Sequence, residues 1–360
     1  LSEQGFANGL TLSFRIKLEP YIPMNSSLVP LKMECFFLVN YSRFIFKIVI
    51  FLFLFSQIIR AQYRFDSWDT EDGLPQNTVY AMTQTRDGYL WLTTYDGLVR
   101  FDGVRFTVFD KSNTKGILSN RFTSIYEDTE AVLWIGTEYG GLVRYADGEF
   151  KTSADKDGLP SKSLRYIQQD DEGNLVVSTD TGIFCLRNNK FEPCISSEWA
   201  RYFRVHWSKS GAKWIIDKNG LDKIKNGNTI HHPIQWRENA VDEIQFFEDA
   251  SGDLWIGAAD AVIYRITDDG IIRYSREGER VEKGTVTINA LGSVTGADAD
   301  GNIWLSNSGG GGVVVFNPQT RDFKQFTTAD GLSSNQIKSF FLDREGTLWI
   351  GTNNRGINRV

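Results

Sequence analysis

From about residue 63 onward, apolar positions cluster in short runs of four to six residues, and each run is bracketed by Gly, Asp or Asn. One kind of run recurs: Leu90-Trp91-Leu92, Leu133-Trp134-Ile135, Leu254-Trp255-Ile256, Ile303-Trp304-Leu305 and Leu348-Trp349-Ile350. Alternate residues of a strand face opposite sides, so these strands are apolar on both faces and both faces must be covered. Before each run comes a second apolar strand such as Thr78–Gln84 or Gln336–Asp343, then a turn such as "TRDG", "DDEG", "DASG" or "DREG". After it come a Gly-containing turn, a third strand such as Leu142–Tyr145, and a fourth such as Glu149–Ala154.

The phrase returns seven times. Trp91, Trp134, Trp214, Trp255, Trp304 and Trp349 mark six copies, and Val176 stands at the Trp place in "GNLVVSTDTGIFCL". The intervals are 43, 42, 38, 41, 49 and 45 residues. Four short strands per 40–50 residues is the signature of a propeller blade. The pattern predicts an all-β, seven-bladed β-propeller over 62–360, with four-stranded antiparallel blades and the six Trp residues packed between neighbouring sheets. The last copy ends at Val360 after its third strand, while "YRFDSWDTEDGL" at the other end resembles the outer strand in "RDFKQFTTADGL". The N-terminal strand is therefore expected to complete blade seven and close the ring, leaving no open edge at the joint.

Composition agrees with many tight turns: 33 Gly and only 8 Pro in 360 residues. A net charge of −6 argues against a general phosphate-backbone binder, so no nucleic-acid partner is expected. The first 61 residues differ. From Met33, Arg43 and Lys47 precede the apolar run Ile48–Phe55, and Ala61-Gln62 forms a small-residue junction. Residues 33–61 read as a secretory signal peptide, or alternatively a short membrane anchor, with 1–32 as unstructured upstream sequence. Export would place Cys185 and Cys194 in an oxidising compartment. A two-residue turn at Asn188-Asn189 pairs Cys185 with Glu192 and leaves Cys194 on the diagonal. Diagonal neighbours lie about 7–8 Å apart, beyond disulfide reach, so two free thiols are expected.

"DGLPQNTVYAMTQTRDGYLWLTTYDGLVRFDG" and "DREGTLWIGTNNRGINRV" resemble the two-component regulator propeller repeat. The resemblance covers about residues 62–360 and is weak in copies three and four. It implies the extracytoplasmic, periplasmic sensor part of a bacterial histidine kinase or related protein, tethered to the membrane in a longer chain. The family's usual second propeller, immunoglobulin-like domain, membrane helix and kinase are not found in this sequence.

Catalytic chemistry is poorly supplied. The three His are His206, His231 and His232, and the adjacent pair would point to opposite sides of a strand. No metalloprotease, nucleophile-elbow or phosphate-loop motif occurs. "DADGN" at 298–302 lacks the later ligands of a calcium loop and reads as a β-turn. "SGGGG" at 308–312 reads as a flexible turn in blade six. No cofactor, metal or catalytic set is expected. "DGNIWLSN" and "VVVFNPQT" also resemble virginiamycin B lyase repeats, which keeps a secreted lyase or hydrolase as the enzymatic alternative; a protein-assembly scaffold is a third.

The copies differ most at the turn after the Trp strand and in the loop leading into each blade. Both lie on one propeller face, and fixed strands with variable tips are how a scaffold presents a binding site. The candidate ligand-binding residues are Tyr95, Asp96, Arg121, Glu138, Tyr139, Lys162, Arg165, Asn219, Asn353, Asn354 and Arg355, with Gln76 and Asn77 beside them. Such side chains suit a polar small molecule or oligosaccharide, an adjacent domain of the same protein, or a second copy in a homodimer.

Overall fold

The structure is a computed structural model. It describes residues 63–360 except 154–157, 161–162, 196–203, 209–210, 218, 237–245, 250, 259–261, 289–293, 299 and 308–310. The expected leader and the segment before it lie outside the described residues, as do Lys162 and residues 308–310 of "SGGGG".

Seven antiparallel sheets form the propeller. A first strand, β1 (Asp66–Trp68), precedes blade one, β2–β5 (Ala81–Gln84, Leu90–Thr94, Gly97–Phe101, Phe106–Phe109). Blade two is β6–β9 (Phe122–Glu127, Leu133–Thr137, Leu142–Ala146, Glu149–Ser153), and blade three is β10–β13 (Leu164–Gln169, Leu175–Thr179, Ile183–Arg187, Lys190–Ile195). Blade four is β14–β17 (Arg204–Trp207, Lys213–Asp217, Gly220–Lys225, Asn228–Trp236), and blade five begins with β18–β21 (Phe246–Glu248, Leu254–Ala258, Val262–Thr267, Gly270–Ser275). After β22 (Gly278–Glu282) and β23 (Val286–Ile288), blade six is β24–β27 (Val294–Ala297, Ile303–Ser306, Val313–Phe316, Phe323–Phe326). Blade seven consists of β28–β30 (Ile337–Leu342, Leu348–Thr352, Ile357–Arg359) and β1.

The expected closure is present. β1 pairs antiparallel with β30 in the register Asp66↔Arg359 and Trp68↔Ile357, and Arg359 Nη2 donates to Asp66 Oδ2 at 2.6 Å. Gly356, at φ 67°, lets the chain pass under this strand: a Cβ there would sit 1.9 Å from the Trp68 carbonyl oxygen.

Two blades depart from the expected four strands. β22 adds to the outer edge of blade five, and β23 then returns as a parallel fifth strand beside β17 of blade four. This excursion occupies the longest interval, the 49 residues between Trp255 and Trp304. Val286 and Ile288 of β23 are buried in the seam between the two blades, so the added strand is held by packing as well as pairing.

The thiols are not free. Cys185 and Cys194 form a disulfide with a Cα–Cα distance of 5.5 Å. Cys185 does pair with Glu192, but the register then shifts from Phe184↔Pro193 to Ile183↔Ile195. Cys194 is the extra residue of that bulge. A bulge bends and over-twists its strand, which draws the diagonal pair into bonding range. The bridge lies in the seam from blade three to blade four with Val176, Ile183, Val205 and Trp207, where the recurring Trp is missing.

Four of the six Trp strands are built alike, with an Asp six residues before the Trp that serves two partners. Thr85 and Ser208 hold that place before Trp91 and Trp214; Thr85 Oγ1 accepts the Trp91 indole N–H at 3.1 Å, and the Trp214 indole N–H has no acceptor among the described residues. Asp128 Oδ1 accepts from the Glu130 and Val132 amides, closing the turn, while Oδ2 accepts the Trp134 indole N–H at 2.7 Å. Asp249, Asp298 and Asp343 accept from Trp255, Trp304 and Trp349 at 2.8 Å each. Asp298 of "DADGN" is thereby accounted for as a turn residue, as its sequence suggested. A buried indole N–H without such an acceptor is costly. The outer strand then lays a ring against the Trp: Phe109 on Trp91 with centroids 5.5 Å apart, Tyr274 on Trp255 at 5.7 Å, Phe326 on Trp304 at 5.9 Å, His232 on Trp214 at 6.5 Å and Trp68 against Trp349 at 5.7 Å.

Candidate functional site

The turns after the Trp strands of blades one, two and seven are tied to the lead-in loops by backbone hydrogen bonds. Gly97 N–H donates to Asn120 O, Glu138 N–H to Arg121 O, Asn353 N–H to Gln336 O and Gly356 N–H to Asn77 O, all at 2.9–3.1 Å. The two variable regions therefore do share one face. Part of the candidate set turns out to build that face. Asn77 Oδ1 accepts from Thr70 N–H at 3.0 Å, as Asn335 accepts from Thr328 at 2.8 Å one repeat earlier, and Gln76 Oε1 accepts from Tyr95 N–H at 2.9 Å.

Blades seven, one and two bring several side chains into a row. Tyr95 is stacked on Tyr80 with centroids 3.9 Å apart and planes 17° apart. The Arg121 guanidinium covers the other face of Tyr95 at 3.7 Å and pairs with Glu138. Tyr139 follows Glu138 in the turn and is 67% exposed, and Lys338 Nζ lies 5.2 Å from the Tyr80 ring. Burial, followed by the hydrogen bond to Tyr95, pushes the Tyr80 hydroxyl well above its ordinary pKa, so it stays protonated and can donate. Both faces of Tyr95 are taken, and Arg121 has a carboxylate and a ring as partners. These two residues stiffen the face; Tyr139 and Lys338 are its outward ends.

A second group lies in blade seven. Asn353, Asn354 and Arg355 are exposed; Ser334 Oγ donates to Asn354 Oδ1 at 2.8 Å, and Thr78 Oγ1 donates to the Asn353 carbonyl, which joins this group to blade one. Asp96 is exposed at the tip of the β3–β4 turn. Arg165 is exposed on β10 of blade three and Asn219 in the β15–β16 turn of blade four, so the ring separates them from both groups. Sequence reading missed Tyr80 and Lys338. Aligned on the Trp strand, Tyr80, Thr123, Arg165 and Lys338 occupy one repeat position, two residues before the pairing partner of the residue that follows Trp or its Val176 equivalent. Variation at that position was the available signal.

The histidines have local partners. His206 Nε2 is 3.0 Å from Glu248 Oε2 on the neighbouring blade, and His231 Nδ1 is 2.6 Å from Asp222 Oδ1. His232 is 4% exposed beneath Trp214. Burial lowers the His232 pKa below its ordinary 6.5, with His231 and Lys223 acting the same way and Asp268 and Asp222 opposing. A His with a depressed folded pKa supports stability fully above about pH 6.5, and that support is lost as pH falls through the folded value. His232→Phe places the ring type of Phe109 and Phe326 under Trp214. The expected result in denaturant titrations is unchanged or higher stability at pH 7 and a smaller loss between pH 7 and about pH 5 than the parent shows. An unchanged pH slope would assign it to other groups, His206 first, since burial lowers its pKa too.

Among the described residues, no group of three His, Cys, Asp or Glu side chains is placed to hold a metal ion, and no helix is long and apolar enough to cross a membrane. Residues 73–96 and 331–354, at the two ends of the ring, match the family described as Two component regulator propeller. The resemblance seen in the sequence is thus a match to that repeat. No curated protein matches the sequence. Solved structures do. The extracellular domain of a protein described as a hybrid two component system from B. thetaiotaomicron superposes with a TM-score of 0.62 at 22% identity, over 82% of this chain and 41% of that one. Virginiamycin B lyase from Staphylococcus aureus gives 0.58 at 13% identity over 82% and 98%. PorZ, a surface component of the type-IX secretion system of Porphyromonas gingivalis, gives 0.58 at 18% over 80% and 47%. The chain thus spans less than half of the first and third of these proteins, and at such identities the likeness is one of fold.

Proposed function

We propose that this propeller is an extracytoplasmic input domain of a membrane signalling protein, that it binds a polar ligand or an adjacent domain through its lead-in-loop face, and that it performs no turnover. The observation that carries the reading is the regulator-propeller repeat at 73–96 and 331–354. These two segments contribute Tyr80, Tyr95, Asn353 and Asn354 to the candidate face. The superposed extracellular domain of a two component system supports the same context. Virginiamycin B lyase shares the fold, but His206 and His232 here are held in blade seams, which favours binding over catalysis. A ring of stacked sheets is stiff, so a signal would arise from ligand favouring one arrangement of two chains or two domains over another; only differential affinity shifts such a balance.

Calorimetric titration of neutral oligosaccharides into the full chain tests this face. The triple variant Tyr95→Ala, Tyr139→Ala, Arg355→Ala removes the stacked row and one exposed cation. It is expected to bind at least about tenfold more weakly, as hydrogen-bonding and stacking contacts each contribute about 1 kcal/mol. Equal affinity in parent and variant would move the site off this face. Steady product formation lost on His206→Ala would replace the sensor reading with the enzyme one.

A further inference from the structure

Blade two departs from the repeat at two positions. The residue paired with the one two before the Trp's partner on the third strand supplies the ring against the Trp: Phe109, His232, Tyr274, Phe326 and Trp68. In blade two the register Leu142↔Ser153 puts Ser153 there, and the outer face of Trp134 has no ring from its own blade. The second concerns the residue opposite the Trp, which is Val315 in blade six and a partnered cation in blades one, four, five and seven. Arg265 meets Asp253 at 2.8 Å, Arg100 lies 4.5 Å over Tyr89, Lys223 meets Asp268 at 2.7 Å and Arg359 meets Asp66 at 2.6 Å. Opposite Trp134 stands Arg144, and two residues before Trp134, where Asp253 and Tyr89 sit in their blades, is Val132. Arg144 is half-buried and has neither a carboxylate nor a ring partner among the described residues.

These changes open a cavity of about 720 Å³ between blades two and three. Val132, Trp134, Arg144, Ser153, Glu172 and Phe191 are among its walls. It reaches the turns Asp128–Glu130, Glu172–Asn174 and Asn188–Asn189, on the opposite face from the lead-in loops. Its volume falls within the roughly 300–1,000 Å³ of small-molecule sites. The adjoining residue of blade three also makes room: Leu186 stands where Phe101, Tyr145 and Phe316 stand in blades one, two and six.

We propose that this cavity binds a free aromatic amino acid. Its ring takes the place that five other blades fill with a ring of their own, against the Trp134 face. Its carboxylate meets the Arg144 guanidinium, whose planar fork matches a carboxylate in two hydrogen bonds. Its ammonium faces the exposed carboxylates of Glu130 and Glu172 at the rim. The Trp134 indole N–H is not available to the ligand, because Asp128 already accepts it. This site is independent of the lead-in-loop face and of the proposal made for it.

The test is calorimetric titration of the full chain with L-phenylalanine, L-tyrosine and L-tryptophan, with L-alanine and phenylacetate as comparison ligands. Saturable binding of at least one aromatic amino acid is expected, with no detectable binding of alanine and weaker binding of phenylacetate. Ser153→Phe should restore the repeat's own ring, lower affinity at least tenfold, and melt no lower than the parent. Arg144→Gln, which leaves the cavity open, should also lower affinity at least tenfold. The lead-in-loop triple variant should bind like the parent. Failure of all three aromatic amino acids to bind, or parent-like binding by Arg144→Gln, would overturn the site. Phenylacetate binding as tightly as phenylalanine would overturn the assignment to an amino acid.

Discussion

Deleting residues 63–69 is expected to remove most of the stability of the propeller. The segment contributes more than the three residues of β1. Tyr63 packs edge-on against Trp304 and Phe326 with centroids 5.1 and 5.2 Å away, Phe65 against Phe326 at 5.7 Å, and Trp68 against Phe101 at 5.5 Å and Trp349 at 5.7 Å. These rings lie in the seams on either side of blade seven. Emptying one large aromatic site costs about 3–5 kcal/mol, and three are emptied together. Native domains hold only about 5–15 kcal/mol in reserve. The deletion also uncovers β30 as an unpaired edge, which invites association. In urea or guanidinium titrations the truncated chain should unfold at far lower denaturant, or show no cooperative transition. Melting within a few degrees of the parent would mean that the ring does not depend on this strand.

Trp255→Ala is expected to cost about 3–5 kcal/mol, at the upper end for a core aromatic. Trp255 is 2% exposed, stacked on Tyr274 and tilted against Phe316 with centroids 5.7 and 6.2 Å away. Its loss empties a space closed by two blades and strips Asp249 Oδ2 of the indole donor. Trp134→Ala removes the same side chain from the same repeat position, but there the outer face already borders a cavity and Ser153 offers no ring. Water can enter, so the residual void is smaller and the loss should lie nearer the lower end. The comparison is made by chemical denaturation of both variants beside the parent. A larger loss at Trp134 than at Trp255 would show that the seam between blades two and three is better packed than its residues indicate.

How much of this could be read from the chain differs by kind of feature. The seven copies, the Trp strands, the spare N-terminal strand and the three-stranded last copy were legible, because burial on both faces imposes a periodic pattern that survives divergence. The Asp six residues before four of the Trp residues was not picked out in the sequence, because its task of accepting the indole N–H is set by the turn geometry. The fifth strands of blades four and five were not legible either. Gly278–Glu282 has an exposed pattern like any hairpin arm, and nothing local says that Val286–Ile288 will pair in parallel with a strand some fifty residues earlier. The disulfide was missed because one bulge at Cys194 changes a diagonal distance, and pairing rules assume a regular ladder.

The candidate face shows the same division. That Tyr95, Arg121 and Glu138 share a face followed from strand order alone. That Arg121 lies over Tyr95 rather than reaching outward depends on Tyr80, just before β2 of the same blade, and on Glu138 from the next blade. By itself, then, the sequence determined the architecture, since repeat length and two-faced burial admit few other solutions. Tertiary structure alone decided which polar side chains are spent on holding the face together, which remain open, and where a missing ring leaves a cavity. Those outcomes depend on contacts between blades, where residues about forty positions apart meet at distances that no local pattern encodes.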